Sequence, residues 1–360
     1  MLTYILRRVL LLFPTLVGMT AIVFFVMALS PGGVGGPMLG EMGQLDSDQA
    51  QALTDYYNRR YGLDQPKAVQ YLRWFNQISP LGFATTQTPD GIAFGRLGIK
   101  TPDFGTSFSK GRPVLDLIAE ALPITLLLNL TTTPIAYFIA IASGVYAARH
   151  RGKLFDLASG STLLALWSIP TIWIGVMLIG FLSSEQYLRW FPASGLSSTL
   201  ADQMAFLPRF GNDGFERGWL LDRAWHLVLP IVCLTYGSFA FLSKLMRSAV
   251  LENLSADFVR TARAKGVGDR VVLWRHAFRN SLLPLITVAA SLLPGLLAGS
   301  VIVESIFSIP GMGKMAIDAI NARDRELVLA TTVLGGVLGL VSILVADICY
   351  AIADPRVSYE

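Results

Sequence analysis

Six stretches of this 360-residue chain run for at least 18 residues without Asp, Glu, Lys or Arg: 9–40, 121–148, 157–184, 224–243, 280–303 and 327–346. A helix needs about 20 mostly apolar residues to cross the hydrocarbon core of a bilayer. No water is present there, so each backbone N–H and C=O must find a partner inside the protein, which only helices and closed barrels achieve. Barrel strands read as alternating segments of about ten residues, whereas these blocks are apolar throughout. Pro31, Gly32 and Gly33 end the first block's helix near Ser30. The next longest charge-free run, 74–89, is polar, with Asn76, Gln77, Thr85, Thr86 and Gln87. The expectation is an all-α polytopic membrane protein of six transmembrane helices.

The composition agrees with that reading. Hydrophobic residues are 53% of the chain and charged residues 15%, against about 25% charged in soluble domains. Such a chain cannot clothe a water-facing surface, which excludes most soluble enzymes, disordered proteins and nucleic-acid-binding modules. The net charge of +4 is then a matter of topology. Arg7 and Arg8 precede the first block, and short cytoplasmic segments carry the excess of Lys and Arg, so the N-terminus is expected in the cytoplasm. An even span count puts the C-terminus there too. With that orientation the inner segments, including Arg149, Arg151, Lys153 and the run from Lys244 to Arg279, carry +7 and the outer ones −3. Ala28-Leu29-Ser30 resembles a signal-peptide cleavage site. The apolar stretch is longer than a signal core and Pro31 would follow the cut, so a retained span is expected. Prolines 123, 134, 170, 230, 284 and 294 fall within the blocks, where packed neighbours can re-satisfy the freed backbone groups.

Three polar segments stand out. Residues 31–112 form a small cap on the outer side. It has one helix from Ser47 to about Tyr61 closed by Gly62, a second from Asp64-Gln65-Pro66 to about Ile78, and loop beyond Pro80. In 185–222, Trp190 and Trp219 read as interface anchors. Segment 248–279 reads as two short helices. Ser255 caps the first, which spans about Ala256 to Lys265 and is closed by Gly266. Asp269 caps the second, which runs to about Asn280 with Val272, His276 and Arg279 at helical spacing. Such a pair is expected to lack a core of its own and so to pack on another protein or on lipid headgroups.

Little in the chain carries catalytic or metal chemistry. Cys233 and Cys349 sit in apolar runs and read as small buried hydrophobes. With three histidines no metal set is expected. Gly311-Met312-Gly313-Lys314 lacks the leading Gly and trailing Ser or Thr of a P-loop, with Ser308 and Met315 in those places, so ATP is not expected to bind this chain. Ionisable residues near spans are candidate polar sites, and His226, Glu304 and Asp347 are the ones chosen. Glu120 and Lys244 read as snorkelling side chains. Gly335 and Gly339 form a GxxxG spacing that could mark a helix contact. The ionisable groups lie at span edges and no clear internal repeat is visible, which disfavours an ion-coupled secondary transporter. No cluster of His, Asp or Glu supports a membrane enzyme.

The run Arg260-Thr261-Ala262-Arg263-Ala264-Lys265-Gly266, followed by Trp274-Arg275-His276-Ala277-Phe278-Arg279-Asn280, resembles the cytoplasmic EAA loop of ABC-type importer permeases. At the Glu, Gly, Ile and Leu-Pro positions of the general pattern this chain has Arg260, Gly266, His276 and Phe278-Arg279. The match is to the dipeptide, oligopeptide and nickel branch, which carries Arg-Thr-Ala-Arg-Ala-Lys-Gly and His-Ala-x-Arg-Asn runs. Also similar to the B-type subunits of that branch are Leu6-Arg7-Arg8, Pro14-Thr15, Tyr61-Gly62-Leu63-Asp64-Gln65-Pro66, Phe104-Gly105-Thr106-Ser107, Trp225-His226-Leu227, Glu304-Ser305-Ile306-Phe307 and Asp354-Pro355-Arg356.

The resemblance implies a type I ABC importer permease fold in a bacterial inner membrane. It implies a first helix at 1–30, a cap at 31–112, a core of five helices over 113–350 (about 117–148, 154–182, 224–247, 280–305 and 327–350) and a cytoplasmic tail at 351–360. The implied partners are a second homologous permease, two cytoplasmic ATPase subunits that carry ATP and Mg, and an extracytoplasmic solute-binding protein. No cofactor would be held by this chain. Arg260, Thr261, Ala262, Arg263, Ala264, Lys265, Gly266, Val267, His276 and Arg279 would form the ATPase-docking set. The implied cargo is di- or oligopeptides, with nickel or glutathione as the alternatives.

Overall fold

In a computed structural model, residues 2–29, 65–88, 91–107, 109–211, 214–322 and 324–353 are described, together with Asp55 and Gly62. The helix expected from Ser47 to Tyr61, the Pro31-Gly32-Gly33 stop and the Asp354-Pro355-Arg356 tail lie outside the described residues. The chain sorts into two units, Met1–Glu120 with Ala316–Leu340, and Ala121–Met315 with Val341–Glu360.

Helices dominate. In chain order they are α1 (Leu2–Leu29), α2 (Lys67–Ile78), α3 (Val114–Arg149), α4 (Leu154–Ser168), α5 (Thr171–Leu178), α6 (Gly218–Ser255), α7 (Asp257–Ala264), α8 (Asp269–Val271), α9 (Phe278–Ser281), α10 (Leu283–Ala298), α11 (Val301–Ile306), α12 (Met312–Asn321) and α13 (Arg325–Ala353). Among the described residues, four stretches are long and apolar enough to span a bilayer: Leu10–Leu29, Val114–Arg149, Gly218–Ser255 and Arg325–Ile348. A fifth candidate is bent. Leu154–Ser168 and Thr171–Ser183 meet at 93°, so block 157–184 is not one straight helix. Pro170 lies in the break, and a residue ahead of proline is pushed out of the helical region; Ile169 is extended there. Pro123, Pro134 and Pro230 instead lie within continuous helices. The block 280–303 is divided too, into α10 and α11 with Gly299 and Ser300 between them.

The first unit is built on aromatic packing. Phe24 of α1 and Trp74 of α2 are both almost fully buried, with ring centroids 5.3 Å apart. Tyr71 lies 5.7 Å from Phe24 and its hydroxyl donates to the Val17 carbonyl at 3.1 Å. The segment after Pro80, expected as loop, is an antiparallel hairpin of β1 (Leu81–Thr88) and β2 (Gly91–Ile99). Phe83, Thr85 and Thr86 suit strands, and Pro89-Asp90-Gly91 is a turn signal, so the fold is not purely helical. A second short hairpin, β3 (Arg209–Gly211) with β4 (Gly214–Glu216), lies in the other unit. The Asn76 side chain ties β1 to α2, donating to the Phe83 carbonyl and accepting from its N–H at 3.1 and 2.8 Å. Among the described residues, a side chain at Gly335 or Gly339 would meet nothing within 4 Å. It is Gly336 that packs on the Met19 side chain.

The second unit has two apolar clusters along its spans. One gathers Leu128, Leu227, Leu229, Cys233, Val303, Phe307 and Ile309. The other gathers Val145, Ala148, Met246, Val250, Leu273 and Leu285. α3 and α6 cross at Gly144, where an added Cβ would lie 2.7 Å from the Ser243 carbonyl and 2.8 Å from Met246 Cβ. Ser143 and Ser243 exchange a hydrogen bond at 2.8 Å beside it. Arg247 of α6 holds Asp156 of α4 with a two-point ion pair, Nη2 to Oδ2 at 2.7 Å. At the bend, Tyr236 donates its hydroxyl to the Ile169 carbonyl at 2.6 Å, satisfying a group that the broken helix leaves over. The expected anchors behave differently from each other. Trp190 is exposed, while Trp219 stacks on Phe206 with the Arg223 guanidinium over its ring.

Gly144→Leu is expected to push the two helices apart and cost about 1–3 kcal/mol, the usual range for overpacking. Gly237→Leu, on the same helix α6 where a Cβ meets nothing within 4 Å, should cost far less. Thermal unfolding of the two variants in lipid nanodiscs checks the contrast.

Candidate functional site

The paired helices at 257–281 are the first candidate. Ser255 does not cap α7: it is the last residue of α6 and its hydroxyl turns back to the Glu252 carbonyl at 2.8 Å. α7 runs Asp257–Ala264 with Lys265 as its C-cap, followed by Gly266, whose φ of +78° is left-handed. Glycine holds that conformation without the clash a Cβ brings. Gly268 precedes α8, so Asp269 is its first residue and not its cap. The helix continues through a π-helical turn, Val272–Ala277, into α9.

The expectation that this pair lacks its own core is corrected. Val259, Ala262, Val272 and Ala277 are buried against one another, with Leu254 and Val267 packed on them. Spacing explains the result. Val259 and Ala262 lie three apart on α7, and Val272 and Ala277 five apart across the wider π turn, so one apolar row of each helix faces the other. The remainder of α7 is displayed. Arg260, Thr261, Arg263, Ala264, Lys265 and Gly266 are exposed, as is Arg279; Val267 and His276 are half-buried. Ala262 therefore serves the small core, and seven of the ten chosen residues form an outward, basic surface. Arg263 makes a surface ion pair with Asp269 at 3.3 Å, an interaction worth at most about 1 kcal/mol, which leaves it open to other anions.

The second candidate is Glu304. This carboxylate is 1% exposed and enclosed by chain. Its Oε1 accepts from the Thr125 hydroxyl at 3.0 Å and the Ser300 N–H at 3.2 Å, and Oε2 accepts from the Lys314 N–H at 3.0 Å. Thr125 in turn accepts the Met312 N–H at 2.8 Å. Gly299, Gly311 and Gly313 stand where any Cβ would press on the carboxylate or its loop. The glycines of Gly311-Met312-Gly313-Lys314 thus wrap a carboxylate of their own chain. The result joins α3, α11 and the loop entering α12 around one buried carboxyl group. Thr125 carries no signal in the sequence, because a lone threonine in an apolar span has no distinguishing pattern.

The other two candidates stand apart in role. His226 is buried on α6, with Nδ1 2.9 Å from the Asp222 carbonyl and 3.7 Å from its carboxylate; only the first is a hydrogen-bond distance. The Asp222 carboxylate accepts the Ser198 N–H at 2.8 Å. One ring nitrogen of His226 is thus satisfied within its own helix. Asp347 is half-buried on α13. Within the first unit, Asp324 plays a part the charge pattern did not disclose. Its Oδ2 accepts from the Ser107 hydroxyl and from both the N–H and hydroxyl of Ser109, while Oδ1 accepts the Leu327 N–H and so caps α13. Among the described residues no group of three or more His, Cys, Asp or Glu is placed to hold a metal. Cys233 is buried, with its thiol directed at the Thr171 carbonyl.

Glu304→Ala would orphan three donors, each costing about 1–3 kcal/mol. It is expected to lower the unfolding temperature sharply, whereas Glu304→Gln, which keeps an acceptor oxygen, should cost less than half as much. Thermal unfolding of the purified protein in nanodiscs, with proteolysis of the 299–313 loop as a local readout, measures both.

Comparison with known proteins adds the family. The family model described as binding-protein-dependent transport system inner membrane component matches residues 140–359, and the model for the N-terminal part of such components matches residues 1–129. The oligopeptide transport system permease protein AppB of Bacillus subtilis is 37% identical over 360 residues, covering 100% of both chains. The di/tripeptide transport system permease protein DppB of Pseudomonas aeruginosa is 36% identical, again over 100% of both. The dipeptide transport system permease protein DppB of Alkalihalophilus pseudofirmus is 31% identical with the same coverage. The chain is thus a multi-pass membrane permease, a non-catalytic component. Its two matched regions and its full-length likeness to these relatives make it a member of the binding-protein-dependent transport system inner membrane components.

Proposed function

We propose that this chain is one permease half of an ATP-driven importer and carries short peptides handed over by a solute-binding protein. The observation that carries the peptide reading is the end-to-end likeness to peptide permeases at 36–37% identity. The partners follow from the same reading: a second, related permease, two cytoplasmic ATPases that bind ATP and Mg, and a binding protein on the other side of the membrane. This chain itself holds no cofactor.

The proposed topology has six spans, with α4 and α5 forming one broken span and α10 with α11 another. Both termini face the cytoplasm, residues 31–112 make a small extracytoplasmic cap, 113–350 make the five-helix core, and 351–360 form a cytoplasmic tail. Segment 248–279 is then the cytoplasmic coupling loop. Its physical form suits the task. A coupling element must transmit force, so it needs stiffness, and the pair has its own core. It must also offer a surface to a partner, and Arg260, Thr261, Arg263, Ala264, Lys265 and Gly266 lie outward. Movement of the ATPases would bias the permease between inward- and outward-open states by differential contact with this surface.

Two outcomes are expected. Charge reversal by Arg263→Glu with Lys265→Glu should abolish co-purification of the ATPase subunits while leaving membrane insertion intact. Undiminished co-purification and uptake would sink the docking assignment. In proteoliposomes containing the whole assembly, peptide uptake should require both ATP hydrolysis and the binding protein. Uptake driven by an ion gradient through this chain alone would refute the importer reading.

A further inference from the structure

One face of α3 is polar in the middle of an apolar helix. Asn129, Thr132, Thr133 and Tyr137 recur at spacings of three, four and eight residues from Asn129, which places them in one row. The neighbouring rows are apolar and exposed: Leu127, Leu130, Ile135, Phe138 and Ile139. The polar row does not face those open sides. It lines a cavity of about 270 Å³ together with Ser238 of α6 and Ser300, beside an apolar wall from Ala136, Leu234, Leu242 and Leu292. None of the residues lining the cavity is charged.

The hydrogen bonds around the cavity define what it offers. Thr132 donates its hydroxyl proton to the Leu128 carbonyl at 2.9 Å. Ser238 donates to the Leu234 carbonyl at 3.4 Å, and Tyr137 to the Leu285 carbonyl at 3.1 Å. A hydroxyl whose proton is committed to its own helices still has lone pairs to offer. The cavity therefore sets hydroxyl acceptor oxygens among apolar walls, without a formal charge. A hydrocarbon ligand would leave these oxygens without partners, and an ion would find no counter-charge. The chemistry that suits them is a row of N–H donors alternating with carbonyls. Drug-sized pockets begin near 300 Å³, so the space admits a short length of extended main chain and not a whole ligand.

From this arrangement we infer that the cavity lined by Asn129, Thr132, Thr133, Tyr137, Ser238 and Ser300 is a transit site that holds the main chain of the passing peptide and ignores its side chains. The inference rests on the peptide-importer reading above and adds the residues and the recognition chemistry. An uncharged site with hydroxyl acceptors set in an apolar wall binds what all peptides share. It does not trap acidic or basic side chains, which a fixed charge in a low-dielectric span would do.

The test uses the whole transporter in proteoliposomes with ATP and its binding protein, and labelled Ala-Ala-Ala, Ala-Lys-Ala and Ala-Glu-Ala as probes. Thr133→Asp should raise uptake of the Lys peptide relative to the Glu peptide about ten-fold over the wild-type ratio, and Thr133→Lys should shift it about ten-fold the other way, as expected for one charge pair in a partly desolvated site. ATP hydrolysis stimulated by the loaded binding protein reports intact assembly. Thr133→Val and Asn129→Leu, which introduce no charge, should lower uptake of all three peptides by a similar factor while hydrolysis persists. Unchanged ratios in charge variants that still hydrolyse ATP would overturn the site, as would undiminished uptake in both uncharged variants. Wild-type transporter that assembles and hydrolyses ATP but moves none of the three peptides would instead overturn the peptide reading itself, before any variant is compared.

Discussion

A bilayer interior supplies no hydrogen-bonding solvent, and the rest of this structure depends on that. Each backbone group inside must be satisfied by the chain, at several kcal/mol per failure. Unbroken helix is the cheap solution, and α3, α6 and α13 take it for 36, 38 and 29 residues. Where the chain breaks instead, a side chain stands in. Tyr236 meets the Ile169 carbonyl at the bend between α4 and α5, and Glu304 collects the N–H groups freed near Gly299 and Lys314. The same need shows where α13 begins, at Asp324. Breaks and buried polar side chains therefore occur together for one reason.

Lipid tails are as apolar as leucine, so helices in a membrane gain little from burying apolar surface against each other. Close packing and small residues take over that role. Gly144 lets the backbones of α3 and α6 approach closely, with the Ser143–Ser243 hydrogen bond at the same crossing. Gly175 similarly admits Ile306 and Cys233. Such contacts leave the outward rows free to be wholly apolar, as Phe138 and Leu130 are, while the inward polar row of α3 lines a cavity.

The helical pair after α6 obeys different rules. It is short, rich in Arg and Lys, and held by a core of four small or β-branched residues. That core is just large enough to orient two helices, and it spends almost no charged side chain in doing so. The basic residues are thereby left on the outside, where an exposed charge costs nothing to keep and is available to a partner.

Much of this was legible in the chain itself, because it depends on local pattern. Charge-free blocks mark the apolar helices, Gly266 marks the end of α7 through its left-handed backbone, Pro66 marks the start of α2, and the Arg260–Gly266 and Trp274–Asn280 runs point to the family. What the chain alone left open involves partners far apart in sequence. The chain bends by 93° at Pro170, while Pro134 leaves its helix continuous, a difference that proline alone does not announce. The hairpin at 81–99 was hidden among Gly and Thr residues that read equally well as loop. Asp156 with Arg247, Ser107 with Asp324, and Thr125 with Glu304 are separated by 91, 217 and 179 residues. Composition determines that this protein lives in a membrane as helices, since transfer of charge into hydrocarbon is costly wherever it lies in the chain. Only the tertiary structure decides which polar groups meet inside, because hydrogen bonding acts over about 3 Å and sequence distance says nothing about that.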